Sequence, residues 1–238
     1  SGTAGEIWDS ACSALAGTSL ESIGLSKCGL NPESLAPLAK AISSMAAVKK
    51  IALSNNFLFG SKRDGWRTIH DVDADQSGWS ALCDALPGSP VEELDVSDIG
   101  MGVNGVTSLA KATSSTAALE VLAVGNNPIG SEGGSALVAA VKTSNLKIID
   151  IGKPLPVQEP YESQTLDVSQ TGMGPGQVVI LSWWLTTPFS AVVTDVNMSG
   201  NPLTGKMDDY GYPVDGKDIS GVSILFPAMT KVITLNIS

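Results

Sequence analysis

The chain has 238 residues, 43% of them hydrophobic and 16% charged, which is too apolar for a disordered segment and long enough to bury a substantial core. Its net charge of -10 argues against nucleic acid, because phosphate backbones require clustered Lys and Arg, and disfavours anionic membrane surfaces. Aromatics make up only 5%, so a core must be assembled from Leu, Ile, Val, Ala and Met.

In chain order, a first helix over residues 6–16 carries Ile7, Trp8, Cys12 and Leu15 and is placed to cover one end of the folded chain. A spaced apolar pattern then begins: Leu20, Ile23, Leu25, Cys28 and Leu30. Asn31-Pro32 opens a helical stretch with Leu35, Leu38, Ala41 and Ile42 at three- and four-residue spacing. The same pattern returns at Val48, Ile51, Leu53, Asn56 and Leu58, then at Val91, Leu94, Val96, Ile99 and Met101, and at Leu119, Leu122, Val124, Asn127 and Ile129. Helical stretches follow the last two, with Val106, Leu109, Ala110 and Ala112, and with Leu137, Val138 and Val141. A partial copy at Leu146, Ile149 and Ile151 breaks at Pro154; another holds Leu166, Val168, Thr171 and Met173. A full copy reads Val193, Val196, Met198, Asn201 and Leu203, and a last one runs through Val232, Leu235 and Ile237.

Where nothing intervenes the period is 27 or 28 residues. A short strand plus one helix cannot bury its apolar face alone, so the copies must stack and share a core. Asn56, Asn127 and Asn201 stand where the chain leaves the strand, and a buried amide there can satisfy unpaired backbone groups. Cys28 holds the same slot and is expected to be a small buried turn residue. A longer period overlies the short one. Leu94-Asp-Val-Ser-Asp-Ile-Gly-Met-Gly102 and Leu166-Asp-Val-Ser-Gln-Thr-Gly-Met-Gly174 are near copies 72 residues apart, which points to duplication of a two-repeat unit.

Strand-plus-helix repeats of this length resemble the ribonuclease-inhibitor-like class of the leucine-rich-repeat superfamily. That class includes the Ran GTPase-activating protein, tropomodulin and the sensor arrays of nucleotide-binding immune receptors. The resemblance implies an α/β solenoid (horseshoe), with a parallel concave sheet of seven or eight short strands and helices on the convex side. The expected organisation is a single domain over 1–238 with inserts near 59–75, 152–165 and 204–217, as a fragment of a longer array. Its C-terminal strand would leave an open edge available for self-association.

The inserts, rich in polar residues, Gly and aromatics, read as hairpin-like loops on one edge. Within the first, Asp71-Val-Asp73-Ala-Asp75 resembles the start of a calcium loop, but Gln76 and Leu82 stand where such a loop needs Gly and Glu. Asp75 and Asp218 instead precede helices and suit capping. One histidine, His70, cannot assemble a zinc site, and no nucleophile or phosphate-loop motif is present, so neither catalysis nor a metal or other cofactor is expected. Of Trp183 and Trp184, adjacent on one helix, one is expected in the core and the other partly exposed. Asn197-Met-Ser199 and Asn236-Ile-Ser238 match the glycosylation sequon, yet both fall on expected strands.

Alternation along each strand turns one residue outward: Gly24, Ala52, Asp95, Ala123, Asp150, Asp167, Asn197 and Asn236. Glu92, Glu93 and Asp98 extend the acidic centre of that column, with Lys49 and Lys50 nearby. The candidate partner-binding residues are therefore Glu93, Asp95, Asp150, Asp167 and Asn197, together with Trp66, Tyr210 and Tyr212, the aromatic anchors of the inserts. The expected function is a non-enzymatic protein–protein interaction scaffold acting through the concave sheet and the insert loops. The alternatives are a regulator of a small GTPase, by resemblance to the Ran GTPase-activating protein, and a surface or glycan-binding module. Three cysteines without metal-type spacing suit a reducing, cytoplasmic setting. The expected partner is a protein, with neither nucleic acid nor membrane.

Overall fold

A computed structural model describes residues 3–63, 69–205 and 218–238. The chain starts with α1 (Ala4–Leu15), closed at its N-terminus by a capping box between Thr3 and Glu6. Strand–helix units come next: β1 (Ser22–Gly24) with α2 (Pro32–Ile42), and β2 (Lys50–Ala52) with α3 (Ser77–Ala85). Between the latter two lies an antiparallel ribbon of β3 (Lys62–Arg63) and β4 (Ile69–His70), so the first insert is hairpin-like. Then come β5 (Glu93–Asp95) with α4 (Val103–Ser115), and β6 (Val121–Ala123) with α5 (Gly130–Thr143). The rest is β7 (Ile148–Asp150), β8 (Pro154–Pro156), β9 (Thr165–Asp167) with α6 (Pro175–Leu185), β10 (Asp195–Asn197) with α7 (Ser220–Ala228), and β11 (Thr234–Asn236).

The result is an α/β arrangement with parallel strands on one side and a layer of helices, each against the next, on the other. The repeated apolar positions lie between the layers: Ile51, Leu53, Leu94, Val96, Leu122, Val124, Ile149, Leu166 and Val196 are buried at 0–2% exposure. The third residue after most strands is left-handed, at Lys27, Asn55, Asp98, Asn126, Gln170 and Gly200, with φ between 52 and 67. The chain thus leaves each of these strands by the same turn.

The parallel sheet is shorter than the seven or eight strands expected. Strands β1, β2, β5, β6 and β7 form one parallel set, while β9, β10 and β11 form a separate sheet. After Gly152 the chain folds back and β8 runs antiparallel along β7, pairing Ile149 with Leu155 and Asp150 with Pro154. This occupies the edge that β9 would need. The fold-back is anchored by burial of Leu155 and Val157, and by the Trp184 indole N–H, which donates to the Pro156 carbonyl at 2.7 Å. The incomplete repeat at 146–151 is therefore where the sheet divides.

The repeated chemistry of the turn slot is visible in three amides. Asn56 accepts from the N–H groups of Cys28 and Leu30 and donates to the Leu25 carbonyl. Asn127 does the same for Ile99, Met101 and Val96, and Asn201 for Thr171, Met173 and Val168. Each amide sews its own turn to the preceding one, in every second unit of the duplicated pair. Cys28 departs from expectation: it is exposed. It belongs to the first strand–helix unit of the described residues, and its thiol stays within its own turn, donating to the Ser26 carbonyl at 3.6 Å. Its backbone N–H is the group being served.

Candidate interaction surface

The register places the outward residues as the alternation requires. Gly24, Ala52, Asp95, Ala123 and Asp150 are direct partners across β1, β2, β5, β6 and β7. Asp167, Asn197 and Asn236 align across β9, β10 and β11. The division of the sheet falls between Asp150 and Asp167, because the partner of Asp150 on the side away from Ala123 is Pro154. The acidic column is thus two segments on two sheets.

These side chains also end their strands. Asp95 accepts from the Ser97 N–H at 3.0 Å, Asp150 from Gly152 at 2.7 Å and Asp167 from Ser169 at 2.9 Å. Asn197 and Asn236 accept from Ser199 and Ser238 in the same way, which gives both sequon asparagines a local turn role. Burial pushes the Asp150 carboxyl above its usual range, and the like charge of Asp95 adds to the effect. Asp167, held by bonds from Ser169, lies below that range.

The acids at the strand entries are different. Glu92 pairs with Lys49 at 2.8 Å, Glu93 with Lys50, and Glu120 with Lys147 at 2.7 Å. Glu93 therefore does not extend the acidic centre: the basic spot formed by Lys49 and Lys50 lies directly against Glu92 and Glu93 and answers them. Asp95, Asp150 and Asp167 form no salt bridge among the described residues.

Trp66, Tyr210 and Tyr212 lie outside the described residues. The flanks of the inserts are tied into the array. Phe59 is fully buried with its ring 5.0 Å from that of Trp79. Asp75 accepts from the N–H and hydroxyl of Ser77 at the start of α3. Asp73 reaches forward to α4, whose N-cap residue Gly102 has no side chain to cap it, and accepts from the N–H groups of Gly102, Asn104 and Gly105 at 2.8, 2.8 and 3.3 Å. Asp218 serves its own helix through Ser220 and also α5 through Ser131, 87 residues away. The acids of the calcium-like run are thus partly committed to helix N-termini, which favour negative charge. Among the described residues no group of three His, Cys, Asp or Glu is placed to hold a metal. Burial pushes the Cys83 thiol up to about 12, far from a reactive thiolate.

Capping by Asp218 carries a pH signature. Burial pushes its carboxyl up, but bonds from Ser131 and Ser220 outweigh this and hold it below the usual carboxylate range. A folded-state value below the unfolded one gives stability that is present above about pH 4 and lost as pH falls through the lowered value. Urea midpoints should therefore be level from about pH 7 to 5 and fall below about pH 4. In Asp218→Asn that fall becomes shallower without vanishing, because Asp75 and Asp167 shift in the same direction.

The helix layer behaves differently near its C-terminal end. Trp184 is fully buried and Trp183 only partly, as expected for adjacent helical positions. Trp183 lies in an open groove of about 390 Å³ between α5 and α7. The sequence pattern gives no sign of this groove, because it depends on which helices flank α6. No described helix is long and apolar enough to cross a membrane.

Residues 118–138, covering β6 and the first part of α5, match the family model described as Leucine Rich repeat, in agreement with this geometry. The chain is 30% identical over 128 residues to NACHT, LRR and PYD domains-containing protein 5 of Bos taurus, a match covering 53% of this chain and 10% of that protein. It thus spans about a tenth of that relative's length. Among solved structures, Leiomodin-1 Actin-Binding Site 2 (ABS2) gives a TM-score of 0.49 at 12% identity, covering 63% of this chain and 80% of that one. The tropomodulin C-terminal domain of Caenorhabditis elegans gives 0.46 at 17%, covering 63% and 83%.

Proposed function

Because this chain is a leucine-rich-repeat protein, of a family that generally mediates protein–protein contact, we propose that it is a non-enzymatic interaction scaffold. In this reading its units curve as one horseshoe solenoid over 1–238, with the strands on the concave side, in a reducing cytoplasmic setting. The sheet face around Asp95, Ala123 and Asp150 receives a basic segment of a protein partner. Asp167 and Asn197 extend the contact onto the second sheet, and Trp66, Tyr210 and Tyr212 supply aromatic anchors from the inserts. The open edge of β11, paired only with β10 among the described residues, is a place for self-association.

One observation carries the reading. Glu92, Glu93 and Glu120 are each answered by a lysine, whereas Asp95 and Asp150, separated in the register by one small residue, form no salt bridge among the described residues. Burial and the like charge of Asp95 disfavour the Asp150 carboxylate in the free protein, a cost that the bond from Gly152 and the charge of Lys153 only partly offset. A guanidinium or ammonium placed over Ala123 would relieve it.

The test must spare the turns that these carboxylates cap. Charge reversal would remove the acceptor along with the charge, so Asp95→Asn, Asp150→Asn and Asp167→Asn are the informative changes, since an amide oxygen still accepts from the backbone. We expect the triple variant to melt close to the parent near neutral pH, because relief of the penalised charge at position 150 offsets the charge-assisted bonds that Asp167 gives up. Partner captured from extract by the parent should be lost, by about tenfold or more in affinity, as buried interfacial charges imply. Equal capture by parent and triple variant would exclude the acidic column from the contact.

A further inference from the structure

On the helix side of the earlier units, the exposed positions are mainly polar: Glu33 and Lys40 on α2, Ser80 and Asp84 on α3, and Thr107 and Lys111 on α4. Helix α6 breaks this rule. Every residue from Pro175 to Ser182 is buried, as are Trp184 and Leu185. A helix apolar all round belongs in an interior. Here it is the floor of the groove: Val179 and Trp183 lie at the bottom, Val138 and Lys142 of α5 form one wall, and Ile224 and Pro227 of α7 form the other. Ile224 is 47% exposed, and next to the groove Phe226 is 53% exposed.

The groove carries one cation. Lys142, like Lys27, Lys40, Lys111, Lys153 and Lys231, forms no salt bridge among the described residues, and its ammonium stands 5.8 Å from the centre of the Trp183 ring. A lysine in the last turn of α5 also suits the helix dipole, which explains its place on α5 but not the apolar floor beside it.

We propose that this groove binds an amphipathic helix of a partner protein, its apolar stripe over Val179, Trp183 and Ile224 and a carboxylate at one end against Lys142. The dimensions agree. Packed helices lie about 8–10 Å apart, so α5 and α7 flank a trough roughly two spacings wide, which admits one helix of about 10 Å diameter above α6. From Val179 to Thr186 the floor runs about two turns, the span of anchors at i, i+3 or i+4, and i+7. Two such grooves placed face to face would bring together two lysines and no carboxylate, so a second copy fits less well than an acidic partner.

The probe is a displayed three-helix scaffold with one helix randomised at its outward positions, selected against the whole chain. Enriched helices should carry an apolar i, i+3/i+4, i+7 stripe with Asp or Glu at one end. Ile224→Asp and Lys142→Glu should each weaken them by about tenfold, the size of a single anchor contact. Changing the acidic residue of the helix to Lys should restore binding to Lys142→Glu. Both positions are solvent-facing, and unchanged melting would show that the fold is kept; should Ile224→Asp unfold, the charge exchange at Lys142 decides alone. The proposal is overturned by enriched helices that bind both variants as tightly as the parent, by failure of the charge exchange, or by no enrichment. Sedimentation showing micromolar self-association that Ile224→Asp abolishes would also overturn it, in favour of a second copy.

Discussion

Asn127→Ala should lower the unfolding free energy by about 3–5 kcal/mol, with a melting temperature roughly 10 °C below the parent. The amide is 2% exposed and serves two turns at once. It accepts from Ile99 and Met101 at 3.0 and 3.2 Å and donates to Val96 and Val124 at 2.8 and 3.2 Å. Removing it leaves buried donors and an acceptor without partners, at about 1–3 kcal/mol for each group left unsatisfied. The Asn127 backbone is also engaged, its carbonyl accepting from Gln177 Nε2 at 2.8 Å, so loosening of the turn would spread towards α6. Cys28→Ala in the equivalent slot is the control: an exposed side chain that bonds only within its own turn among the described residues should change stability by less than about 0.5 kcal/mol. Thermal and urea unfolding of the two variants checks the contrast, and equal effects would refute the bridging role.

A second large effect is expected where α5 and α6 touch through glycine. A Cβ at Gly134 would lie 2.3 Å from the Gly176 carbonyl oxygen, and one at Gly176 would lie 2.4 Å from the Gly130 carbonyl oxygen. Both obstacles are backbone, so no rotamer change relieves them. Gly134→Ala and Gly176→Ala should each destabilise by about 2–3 kcal/mol, overpacking outweighing the ~1 kcal/mol that alanine gains in a helix. Combined, they should cost less than the sum, because the first substitution already moves the helices apart. Gly5→Ala in α1, where an added Cβ meets nothing within 4 Å, should be neutral or mildly stabilising. Unfolding midpoints of the four variants give the comparison.

Both predictions rest on contacts that the sequence reveals unequally. The spacing of Leu, Ile and Val locates the units and places Asp95 beside Ala123 and Asp150 in register, because a period of two leaves no freedom over which residue faces outward. The turn asparagines are legible for the same reason. The division of the sheet is foreshadowed only as a break at Pro154, since nothing local states that a short segment will turn back along β7 and not continue the array. Helix capping by Asp75 is legible at close range. The reach of Asp73 to α4 and of Asp218 to α5 is not, because those partners lie 29–32 and 87 residues away. The same limit hides the pairing of Glu92 and Glu93 with Lys49 and Lys50 on the neighbouring strand, and so makes the acidic surface look larger than it is. The slot of Cys28 suggests burial, but whether a turn residue is covered depends on the neighbouring unit, which no local pattern states.

The sheet face is the centre of the functional proposal, and hydrogen exchange on the chain with and without its purified partner locates the contact directly. Slowed exchange is predicted in the turns leaving β5, β6 and β7, beside Asp95, Ala123 and Asp150, with the slowing lost in the triple Asp-to-Asn variant. Unchanged exchange in those turns, with protection confined to other parts of the chain, would contradict it.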